Sequence, residues 1–151
     1  MKVLLLLTIG ALLAGFCTAQ QQPEPEWQRK AEQSHGTECV KACLHAAHIT
    51  LEDANKLFTG GNNDAAHSRI TTSVGYVRRA VDCSVQSHKA QKQAEIELRE
   101  LIRRTRDIMK TLEFADQQQV GEAVTELERQ RDRLLHSLFG AAAGATAEKK
   151  R

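Results

Sequence analysis

Val40, Leu44, Ala47, Leu51, Ala54 and Phe58 recur along the chain at alternating steps of four and three. That spacing lines one side of a helix, whereas in a strand it would scatter the same residues over both faces, so residues 39–58 fold as a helix. An apolar stripe of this length requires a second element to cover it. Cys39 and Cys43 lie beside the stripe and Cys83 follows further on. The stretch therefore carries both a core face and two covalent handles.

The same period returns downstream. Gly60, Gly61, Asn62 and Asn63 form the strongest turn signal in the chain and end the first helix at Thr59. Within that helix Thr50, followed by Glu52 and Asp53, marks a second N-cap, read as a kink because the stripe passes it in phase. Asp64 is the expected N-cap of the next helix, with Ile70, Val74, Val77 and Val81 as its stripe. Leu98, Ile102, Thr105, Met109 and Leu112 resume the spacing, so residues 64–115 form either one long helix or two with a bend between 84 and 91. A last helix over 116–139 carries Val120, Val124, Leu127, Leu134, Leu135 and Leu138, with Arg131 interrupting the row and Gly140 as its stop. No strand pattern or internal repeat is present. The expected fold is all-α, a small disulfide-tied antiparallel bundle of three to four helices.

The flanks define the compartment. Residues 1–19 read as a secretory signal peptide, with Lys2, an apolar run from Val3 to Phe16, and a small-residue site at Thr18 and Ala19. Phe16 argues against acylation of Cys17, and the run is too short for a membrane anchor. Residues 20–36 are then a flexible lead holding both prolines, with Trp27 expected to pack on the bundle. The domain proper spans 37–139, and 140–151 has the composition of a mobile tail. The protein is expected to be secreted.

Secretion sets the chemistry of the three cysteines beyond the leader. A disulfide is the default in an oxidising compartment, and Cys39 and Cys43, four apart on one helix, converge poorly on each other. Folding the first helix back on the second at the 60–63 turn puts Cys83 level with Cys39, while Cys43 lies within one turn and closer to the stripe. Cys43–Cys83 is the preferred pair, and Cys39–Cys83 stays open as the alternative. The odd thiol remains free, capped, or available for a disulfide-linked dimer. His45, His48 and His88 join the cysteines as soft ligands, but the spacing lacks the tight pairs of zinc sites, so no metal or other cofactor is expected.

Charge gives no global preference, so any electrostatic binding must come from local clusters. The chain has 21 basic and 19 acidic residues, with Lys2 in the leader, so there is no global pull toward nucleic acid or anionic membrane. Arg99, Arg103, Arg106 and Lys110 repeat the helical spacing one step out of register with the core row, giving a basic ridge. Its plain reading is a solvated flank paired with Glu95, Glu97, Glu100 and Glu113. Its functional reading is a contact with an acidic protein partner or a glycosaminoglycan; aromatics to stack on bases are scarce, which disfavours nucleic acid. No phosphate loop, nucleophile motif or metal-hydrolase motif occurs, so no enzymatic activity and no catalytic residues are expected.

Two families share parts of this pattern. The three cysteines resemble one portion of the insect odorant-binding and salivary ligand-carrier pattern, which would imply a small-ligand carrier, although the flanking cysteines of that family are missing. Glu38-Cys39-Val40-Lys41-Ala42-Cys43-Leu44-His45, then Leu51-Glu52-Asp53-Ala54-Asn55, with the Gln/Pro lead, Trp27 and Cys83, more closely resembles the anophensin/albicin family of mosquito salivary proteins. That resemblance implies a salivary protein that suppresses host defence by stoichiometric binding of host plasma proteins. The target it implies is the C3 convertase of the alternative pathway of complement, or else contact activation of the kinin system.

Overall fold

The computed structural model describes residues 25–148, and side chains over 25–140. The signal peptide expected at 1–19, with Cys17, lies outside the described residues. Among those described there are five α-helices and no strand: α1 (Glu26–Gln33), α2 (Gly36–Thr59), α3 (Asn63–Ser87), α4 (Gln91–Lys110) and α5 (Phe114–Glu148). This is one helix more than expected, because α1 forms within the stretch read as a flexible lead.

The turns follow local chemistry. Gly61 takes a left-handed φ of 75° between α2 and α3, a conformation open to glycine at little cost. The Asn62 side chain, rather than Asp64, caps α3 by accepting from the Ala65 amide. Asp64 instead supplies first-turn negative charge. Thr50 is no cap at all. It is fully buried, and its hydroxyl donates to the Ala46 and Ala47 carbonyls at 2.8 and 3.1 Å, so α2 runs through it unbroken. At the far end of the chain, α5 continues past Gly140 to Glu148.

Of the two readings for residues 64–115, the divided one is correct. His88 and Ala90 both take positive φ, 53° and 55°, and separate α3 from α4. Neither is glycine, so a further contact must hold the turn. The buried Ser84 hydroxyl does so, donating to the Lys89 carbonyl at 2.9 Å.

Packing follows the stripes. Val40, Leu44, Ala47, Leu51 and Ala54 are all buried against Ile70, Val74, Val77 and Val81. Small residues on α2 let the two helices approach closely enough for the Ser73 hydroxyl to reach the Ala47 carbonyl at 2.8 Å. Contacts link α2 to α3, α3 to α5, α5 to α4 and α4 back to α2, with α3 also touching α4. Two antiparallel hairpins, α2–α3 and α4–α5, thus lie side by side, and the helices that meet across them are parallel. Polar pairs bridge those parallel contacts: His48 with Glu97 at 3.1 Å, His67 with Asp116 at 2.8 Å, and Arg78 with Glu126 at 2.7 Å.

The disulfide joins Cys39 to Cys83, with Cα atoms 6.2 Å apart, which corrects the preference for Cys43. The reason lies in α1. Cys43, one turn along α2 with its Sγ 3.9 Å from Cys39 Sγ, lies instead under α1, where it donates to the Ala31 carbonyl at 3.4 Å and is fully buried and free. A dimer through this thiol would require α1 to move.

Candidate partner-binding surface

The α4–α5 hairpin presents the charged side of the molecule. Leu98, Leu101, Ile102, Thr105 and Ile108 of α4 face the core, which leaves Ile96, Arg99, Arg103 and Arg106 on the outer side. Between that side and α5 runs an open groove of about 650 Å³, lined among others by Ile96, Arg99, Arg103, Arg106, Glu128 and Arg131. Ile96 is 54% exposed within it. Such exposure on a core-forming helix leaves an apolar side chain available for contact.

Most of the polar rim is already paired. Glu95 is only 7% exposed and receives Arg99 at 2.5 Å and Arg131 at 2.9 Å. Hydrogen bonding to Arg99, then to Arg131, holds its carboxyl below the usual range against the opposing effect of burial. Arg131 therefore breaks the apolar row of α5 because a nearly enclosed carboxylate on α4 needs it there. Arg103 and Arg104 both bind Glu100, whose carboxyl is lowered to about 2 by those hydrogen bonds, Arg103 first. Arg103 also reaches Asp107 at 2.9 Å, and Arg106 bridges to Glu128 on α5.

Of the four ridge residues picked out from spacing, the structure brings Arg99, Arg103 and Arg106 to the groove. Lys110 sits further along α4, paired with Asp107 at 3.1 Å, and is not part of the lining. Glu95 and Glu100 act as the paired acids anticipated for a solvated flank, while Glu97 turns to His48. Ile96 was missed, although its place two residues before Leu98, off the core row, marks it as an apolar side chain pointing outward. The soft-ligand cluster does not assemble: among the described residues no group of three or more His, Cys, Asp and Glu side chains is placed to hold a metal. His45 and His88 are exposed, and His48 is engaged by Glu97.

Among the described residues no helix is long and apolar enough to cross a membrane. No family model, curated protein or solved structure matches the sequence.

Proposed function

We propose that this chain is a secreted inhibitor of host defence that works by stoichiometric protein binding, without turnover, through the outer face of α4 and α5. The observation that carries the reading is the conjunction, in one groove, of a half-exposed isoleucine with arginines that outnumber the carboxylates among the lining residues. An apolar centre inside a polar, arginine-rich rim is the composition from which protein interfaces draw most of their affinity. The arginines already hold carboxylates of their own chain. A sulfated polysaccharide would have to displace those pairs and would leave Ile96 uncovered, which favours a protein surface with an apolar protrusion. The grooves open to solvent, which favours a macromolecule over an enclosed small ligand.

The target proposed, on the resemblance to the anophensin/albicin family, is the C3 convertase of the alternative pathway. Alternative-pathway haemolysis tests it: inhibition should saturate near one protein per target. The Arg103→Glu, Arg106→Glu double variant should lose on the order of tenfold in potency. Full potency of that variant removes the ridge from the interface. Undiminished haemolysis at excess protein, together with suppressed factor XII activation, moves the target to the contact pathway.

A further inference from the structure

The short helix α1 is attached to the bundle in an unusual way. Eight residues are too few for a helix to be stable alone in water, so its order depends on docking. Among its residues only Ala31 is fully buried. Trp27 adds an edge-on contact with Tyr76, ring centroids 6.0 Å apart. The polar anchoring comes from one side chain of α3: Arg79 donates from Nε to the Ala31 carbonyl at 3.0 Å and from its guanidinium terminus to the Glu32 carbonyl at 2.6 Å. These are last-turn carbonyls, which lack partners within the helix and carry the negative end of its dipole, so a guanidinium is well matched to them.

On its C-terminal side α1 is joined to α2 by a break rather than a continuous helix. Ser34 and His35 are extended, and Gly36 takes a φ of +56° with nothing within 4 Å of where a side chain would begin. Rotation here touches α2 only in its first turn, where the His35 carbonyl accepts from the Cys39 amide at 3.3 Å. Directly beneath α1 lies Cys43, 0% exposed, its Sγ hydrogen-bonded to the Ala31 carbonyl and 3.9 Å from Cys39 Sγ. Burial raises the Cys43 thiol above its ordinary pKa, against the lowering effect of Arg79.

We infer that α1 is a releasable clasp, latched by Arg79 and hinged at residues 34–36, that keeps the Cys43 thiol sealed. When α1 undocks, the Cys43 thiol meets solvent and can ionise there. An external disulfide can then react. The Cys43 sulfur attacks one of its sulfurs, a mixed disulfide forms, the external S–S bond breaks and its other half leaves as a thiolate. The Cys43 proton passes to solvent. No further oxidant is required. Opening of this kind is local and far cheaper than global unfolding, which places α1 at the low-stability end of the molecule.

The test is the rate at which an aromatic disulfide, dithiobis-nitrobenzoate, labels Cys43 in the folded protein, with Cys43→Ser as the blank. Arg79→Ala should label on the order of tenfold faster than the parent, because the latch is gone and local opening is more frequent. Leu134→Ala, which weakens the core from α5, should label at the parent rate. Helical circular dichroism confirms that both variants are folded. The clasp is overturned if Arg79→Ala labels at the parent rate. It is equally overturned if Leu134→Ala accelerates labelling as much as Arg79→Ala does, since exposure then follows global unfolding.

Discussion

The two hairpins are built on different physics. Between α2 and α3 the contact is covalent, alanine-rich and largely apolar, with a disulfide near one end and a hydroxyl-to-carbonyl bond from Ser73 nearer the turn. Between α4 and α5 an apolar seam is edged by guanidinium–carboxylate pairs, and Ile96 and, at the hairpin tip, Phe114 are left outside, 54% and 85% exposed. A buried, cross-linked interface fixes geometry and shows little to a partner. An interface edged with ion pairs contributes less to stability, since such pairs are largely offset by desolvation and side-chain entropy, but it presents a patterned surface. Scaffold and proposed contact face are thereby separated within one small fold.

Removing the covalent tie is the harshest way to break that contrast. The Cys39→Ala, Cys83→Ala double variant should lose about 4 kcal/mol in the chain-entropy model for a sequence separation of 44 residues, seen as a lower urea midpoint. A loss below about 1 kcal/mol would mean that packing alone fixes α2 on α3. On the other hairpin, Glu95→Ala should cost about 1 kcal/mol by thermal denaturation, because Arg99 and Arg131 lose their carboxylate but keep access to water. A double-mutant cycle with Arg131→Ala isolates the inter-helix part.

Acid should act on the α4 side first. Glu100, with its carboxyl lowered from 4.5 to about 2, is held by Arg103 and Arg104, and Glu95 is lowered as well. A depressed carboxylate contributes stability that is fully present above its unfolded value and is lost as pH falls through the folded one. Melting temperature should therefore decline from about pH 4.5 toward pH 2, and Glu100→Gln should flatten part of that decline. The smallest effect on stability should come from Ile96→Asp, within about 0.5 kcal/mol of the parent, while inhibition falls. Unchanged inhibition would move the contact face away from the groove.

Much of the scaffold was legible in the chain because helical period is a local property. The α2 and α3 stripes pack as their spacing requires, and the 60–63 turn lies where two glycines and two asparagines put it. The proposed contact face was only partly legible. Spacing brought three of four ridge cations to the groove and offered their pairing with Glu95 and Glu100, but it could not show that Arg106 reaches Glu128 or that Arg131 interrupts its row to meet Glu95. Those facts depend on which helix lies opposite, and a helix surface carries no label for its neighbour.

By itself the sequence determined that the chain is helical, where the stripes run and that Cys83 binds a cysteine of α2. Only the tertiary structure decided which one. Cys39 and Cys43 stand one turn apart and are nearly equivalent to any rule of spacing. The choice was made by α1, whose Ala31 carbonyl meets Cys43 and leaves Cys39 facing α3. The break at His88 and Ala90 was one of two readings open in the sequence, and the structure selects it, with the turn closed by the buried Ser84 hydroxyl on the Lys89 carbonyl.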